Sequence, residues 1–119
     1  MSKGRVFVVQ RPAYFDRHDR RWVDKYDLAP AATHGELVFL LKPGNIYRDR
    51  LGAAIDGLRE KLSDYGPDDH IMAVGDPVAI ASAVLVAAEH NGGSVSLLKF
   101  DRISGTYTPY RVGASPNEG

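Results

Sequence analysis

The chain contains no cysteine, which removes disulfides, thiolate nucleophiles, Fe–S clusters and thiolate zinc sites together. An excess of one charge is also missing, since 15 basic residues balance 15 acidic ones. No net field draws the protein to nucleic acid or an anionic membrane, although a local basic patch fits the same total. Long apolar runs are scarce. The most apolar window, Val78 to Ala88, is roughly half the ~20 residues that a bilayer span needs. The stretch Val6 to Val9, after basic residues near the start, is too short for a signal-peptide core. A cytoplasmic protein without membrane contact is the expectation. The four histidines, His18, His34, His70 and His90, are scattered without metal-ligand spacing, so neither a metal nor a cofactor is expected from them. Ser82 and Ser94 lack the sharp glycine-flanked turn of an activated serine. Lys42-Pro43-Gly44-Asn45 has one glycine where a phosphate loop uses several.

What is present is an ordinary globular composition, 44% apolar and 25% charged over 119 residues, which suits one compact core. A single α/β domain over 1–112 is expected, followed by a disordered tail over 113–119 that lacks apolar anchors. Val6-Phe7-Val8-Val9 reads as a strand, and Glu36 to Leu41 as a continuous apolar strand covered on both faces. Leu51, Ile55, Leu58 and Leu62 recur at helical spacing, which places a helix near 46–64. A strand over 70–75 follows. Asp76 and Pro77 then form an N-cap and first helical residue, opening a helix over 77–91 that Asn91-Gly92-Gly93 stops. A strand over 94–100 leads into a hairpin that turns at Asp101 to Gly105.

These elements predict a βαβαβ parallel core with antiparallel edge strands and two hairpins, the N-terminal strand extending an edge. The hairpins echo one another: Phe15-Asp16-Arg17 precedes Trp22 as Phe100-Asp101-Arg102 precedes Tyr107, at identical offsets. A reused hairpin geometry is the reading this supports.

Three features bear on function. At the carboxyl edge of the parallel strands the topology gathers Lys42, Asn45, Asp76, Asp101 and Arg102. Two aspartates there suit a divalent cation, and so a metal-dependent nuclease or phosphotransferase. The local alternative is that Asp76 caps a helix and Asp101 opens a turn. The N-terminal hairpin interleaves Arg11, Arg17, His18, Arg20, Arg21 and Lys25 with Tyr14, Phe15, Trp22 and Tyr26. Cations beside aromatic faces bind acidic protein grooves or single-stranded nucleic acid. Asp16, Asp19, Asp24 and Asp27 cut the net charge, which favours a solvated hairpin with cross-strand pairing over nucleic-acid contact; as a protein-binding surface its contacts would be Arg17, Arg20, Arg21 and Trp22. The third feature is the helix over Val78 to Ala88, apolar all round apart from Ser82. Its outer face, at Val78, Ser82 or Val86, needs either burial by the hairpins or another chain, the latter as a homodimer or a protein partner.

Gly75-Asp76-Pro77 through Asn91-Gly92-Gly93-Ser94-Val95 resembles the strand-Gly-Asp-helix-Gly-strand pattern of NYN and PIN-like nucleases. Those families also carry an aspartate at the end of their first core strand, where this chain has Leu40-Leu41-Lys42. Val74-Gly75-Asp76-Pro77, Asn91-Gly92-Gly93 and Leu97 to Arg102, with Tyr107 and Pro109, resemble short, uncharacterised proteins of bacteria and their phages or mobile elements. That resemblance implies a genomic setting and no particular activity. The resulting expectation is a non-catalytic binding or accessory protein of a phage or mobile element, acting through protein–protein contact. The alternative is a divalent-metal-dependent enzyme using Asp76 and Asp101.

Overall fold

A computed structural model describes residues 4–25 and 27–113. The tail expected to be disordered lies outside them from 114 onward, as does Tyr26 of the aromatic hairpin. The described residues form seven strands, β1 (Arg5–Gln10), β2 (Ala13–Asp16), β3 (Arg21–Asp24), β4 (Glu36–Leu41), β5 (His70–Met72), β6 (Ser94–Asp101) and β7 (Thr106–Gly113). Among the described residues two α-helices accompany them, α1 (Leu51–Lys61) and α2 (Pro77–Glu89). The main sheet has the order β4-β1-β5-β6-β7, and β2 with β3 forms a separate two-stranded sheet. Pairing is parallel from β4 through β6 and antiparallel between β6 and β7. The protein is therefore α/β with a mainly parallel sheet, as its sequence predicts.

One placement differs. β1 lies between β4 and β5 rather than at an edge. Phe7 and Val9 pack into the core beneath the helices, while Val6 and Val8 pack into a second core on the opposite face. A strand buried on both faces is an interior strand, and the short apolar run Val6 to Val9 already had that character. The edge belongs instead to β4, where Glu36 and Phe39 are exposed and Lys61 donates to the Leu40 carbonyl at 2.9 Å.

The layers follow from the direction of each crossover. β4 to β5 and β5 to β6 both step across the sheet in one direction and use α1 and α2, whose buried residues share one core. β1 to β4 steps the opposite way, through the β2–β3 hairpin and a 3₁₀ segment, Ala29–His34, whose Ala31 belongs to the other core. Right-handed crossovers in opposite directions must use opposite faces. One face is thus roofed by two helices, and the other by a single short segment.

Element ends differ modestly from expectation. α1 starts at Leu51 rather than near 46, because Tyr47 is extended and a 3₁₀ turn, Arg48–Arg50, intervenes. β5 ends at Met72 rather than 75, because Val74 bends toward β1 and accepts from the Gln10 amide at 3.1 Å. α2 is capped by Asp76 and stops at His90. Gly92 and Gly93 both have positive φ, and the Gly93 amide donates to Ala88 at 2.9 Å, which closes the helix as glycines in that conformation do.

α2 buries Ala79, Ala83, Val86 and Ala87. Val86 is thus a core residue and not part of the outer face. The outer stripe is Val78, Ala81 and Leu85, with Leu85 67% exposed, and neither hairpin covers it.

Candidate functional site

In open α/β sheets ligands sit beyond the carboxyl ends of the strands, where successive connections leave in opposite directions. Here that point lies between β1 and β5. It opens a crevice of about 450 Å³, lined among others by Gln10, Trp22, Lys25, Asn45, Gly75 and Asp76. Gln10 organises it. Its side chain is buried, Nε2 donates to the Lys42 and Gly44 carbonyls at 2.9 and 2.6 Å, and Oε1 accepts from the Asp76 amide at 2.6 Å. One amide group therefore ties the ends of β1, β4 and β5 together. Gly75, at φ 127°, passes so close that a Cβ there would sit 2.5 Å from Gln10 Oε1.

Asp76 is committed to the backbone. Oδ1 accepts from Val78 at 2.8 Å and Oδ2 from Ile46 at 3.1 Å, joining the α2 N-terminus to the loop before α1. The Ile46 and Val78 amides hold its carboxyl below the usual carboxylate range. Asp101 behaves alike, with Oδ1 accepting from Ile103 at 2.9 Å, and that amide again lowers its pKa. The residues expected to gather at this edge do not come together. Asn45 and Asp76 line the first crevice, whereas Arg102 lines a second cleft of about 560 Å³ beyond β5 and β6. Lys42 lines a groove beside β4, and Asp101 lines neither that groove nor the two clefts. Among the described residues no cluster of three or more His, Asp or Glu is arranged to hold a metal ion.

The β2–β3 hairpin projects from the same edge. Phe15 and Trp22 pair directly across it, ring centroids 5.6 Å apart and edge-to-face, and each is nearly half exposed. Its turn, Arg17 to Arg20, is closed by Asp16, whose Oδ1 accepts from the His18 and Asp19 amides. Arg21 lies 3.8 Å from Asp19, and Arg11 pairs with Asp24 at the hairpin base. Arg17 and Arg20 form no ion pair among the described residues and are exposed.

The β6–β7 hairpin repeats this design. Phe100 pairs with Tyr107 at 5.3 Å, Asp101 closes the turn, and the last turn residue again has positive φ, 71° at Gly105 against 52° at Arg20. The sequence echo is therefore a shared hairpin geometry.

A family model described as phage Pam3 gp32-like protein matches residues 4–114. The chain belongs to this phage protein family. Among curated proteins and solved structures no match is found. The matched span takes in both hairpins, both crevices and every strand of the sheet.

Two arrangements in this family member were missed by sequence reading. Gln10 follows an apolar strand like any polar strand end, and no local pattern marks the three elements it joins. His34 and His70, far apart in sequence, meet with ring centroids 5.7 Å apart. His34 Nε2 donates to the Tyr107 carbonyl at 2.9 Å, which fixes the proton on that nitrogen, and His70 Nδ1 lies 2.7 Å from Ser96 Oγ. Burial, with His34 alongside, pushes the His70 imidazole below its ordinary pKa. This pair bridges the 3₁₀ segment and the sheet, with backbone and hydroxyl partners that suit a structural tie.

Proposed function

We propose that this phage-family protein is a non-catalytic accessory protein of the cytoplasm that works by protein–protein contact through the β2–β3 hairpin. The observation that carries the reading is the hairpin itself, a separate two-stranded sheet presenting Phe15 and Trp22 beside the exposed Arg17 and Arg20, which form no ion pair among the described residues. Exposed aromatic and arginine residues are the usual anchors of protein recognition. The enzyme alternative needs Asp76 and Asp101 free to bind a cation, and both spend carboxylate oxygens on backbone amides.

The test is affinity capture from phage-infected host cells. A discrete partner retained by the wild-type protein and lost with Trp22→Ala, or with Arg17 and Arg20 both changed to serine, supports the reading if the variants melt normally. Capture that ignores both variants refutes it. Magnesium- or manganese-dependent cleavage of nucleic acid, abolished by Asp76→Asn, establishes the enzyme instead.

Self-association is a second reading, favoured by the uncovered Val78, Ala81 and Leu85 stripe of α2. Light scattering of the wild type beside Leu85→Lys tests it, with a dimer expected only for the wild type.

A further inference from the structure

The second cleft, of about 560 Å³, lies where the sheet comes apart. The β5–β6 register ends at Met72↔Leu98, and the last bond between them is the Ala73 amide to the Leu98 carbonyl at 3.2 Å. Val74 then turns to β1, but β6 runs on to Asp101, paired only with β7. Backbone groups alternate sides along a strand, and Lys99 and Asp101 turn theirs to β7, so Phe100 is the residue whose N–H and C=O face the gap without a strand partner. Unpaired strand edges are templates for another extended chain.

Below this edge the floor is apolar. Met72, Leu98 and Tyr107 belong to the core on the thinly roofed face, and Phe100, nearly half exposed, forms a wall. The lining carries two cations, Lys99 and Arg102, against one acid, Asp27. Asp27 accepts from the Ala29 amide at 2.9 Å. Arg102 is exposed and forms no hydrogen bond or ion pair among the described residues.

We propose that this cleft takes an extended segment of a partner protein that pairs with the Phe100 N–H and C=O, seats an apolar side chain on the Met72 and Leu98 floor, and places a carboxylate against Arg102. The inference deepens the reading of a protein-binding accessory protein and rests on it, but uses a surface other than the β2–β3 hairpin. A peptide fits better than a nucleic acid because an unpaired β edge requires amide and carbonyl partners in strand spacing. An apolar floor also rewards an aliphatic or aromatic side chain rather than a phosphate.

The probe is an acetylated, amidated tetrapeptide, Val-Phe-Val-Asp, titrated into the ¹⁵N-labelled full chain, with Val-Phe-Val-Lys as its counterpart. The acidic peptide should shift the amides of residues 73–74 and 98–101, leave those of 13–24 in place, and bind more tightly than the lysine peptide. Arg102→Glu, in an exposed turn, should weaken the acidic peptide by about tenfold and reverse the preference between the two. Phe100→Ser, which removes the wall, should weaken both. The dispersion of each variant's amide spectrum verifies folding.

Absence of shifts at 98–101, or an equal response of both peptides to Arg102→Glu, overturns the proposal. So does Arg102-dependent binding of the apolar anion anilinonaphthalene sulfonate without peptide binding, which would make the cleft a small-molecule site. Hairpin-dependent capture together with a silent peptide titration defeats this inference alone, whereas capture that ignores the hairpin variants defeats the broader reading.

Discussion

Gln10 concentrates more structure in one side chain than any other residue at the carboxyl edge. Replacing it with leucine keeps most of its volume but strands the Lys42 and Gly44 carbonyls and the Asp76 amide. Buried polar groups left without partners are costly, so Gln10→Leu should destabilise by about 2–3 kcal/mol in urea unfolding. Gly75→Ala should fail comparably, since its Cβ would meet Gln10 Oε1 on a backbone at φ 127°. Asp76→Asn is expected to be mild. It keeps one acceptor oxygen for a cap, so the melting temperature should fall by only a few degrees and partner capture should persist. A catalytic Asp76 would show the opposite, lost turnover at unchanged stability.

Among the elements, the two hairpins form a natural comparison because they share register and turn. The last turn position, Gly105 in one, is Arg20 in the other, at φ 52°. A non-glycine residue in left-handed backbone costs about 1 kcal/mol or more. Arg20→Gly should therefore raise stability by about 1 kcal/mol while weakening capture of the partner, and paired melting and binding measurements read the two effects separately. An arginine with only a structural role would raise stability and leave binding unchanged. At α2, the exposed position is Leu85 rather than Val86. Leu85→Lys should leave the melting temperature nearly unchanged, whereas Val86→Lys should unfold the helix from the sheet.

For the whole molecule, stability against acid should fall in two stages. His70 has a folded pKa below its ordinary 6.5, so the unfolded chain takes up a proton first. Its contribution is present above that value and declines as pH drops through it. Urea unfolding at about pH 7.5 and about pH 5.5 should show the decline, and His70→Gln should flatten it. The second stage belongs to Asp69. Burial would raise its carboxyl, but hydrogen bonds from the Arg5 guanidinium and from the Arg5 and Gly66 amides outweigh that and hold it below 3.8. Its contribution is complete above the ordinary carboxylate range and disappears as pH falls through its lowered value. The exposed Asp24 and the half-buried Asp76 and Asp101, also lowered, count for less because solvent reaches and screens their carboxylates. Asp69→Asn should remove most of the second stage.

Local chemistry accounts for what the sequence determined by itself. Asp76-Pro77 and Asn91-Gly92-Gly93 bound α2 because capping and left-handed closure depend on neighbouring residues alone. The hairpins were legible for the same reason, and so was the fate of both aspartates, whose partners lie largely within two residues in the chain. Tertiary structure decided the rest. Strand order is set by which surfaces bury together, and an apolar run such as Val6 to Val9 carries no mark of its neighbours. The role of Gln10, the meeting of His34 with His70 and the gap between β5 and β6 all join positions distant in the chain. Such contacts exist only once the sheet has closed, because hydrophobic burial is non-directional and leaves register and partner to the packing of the whole.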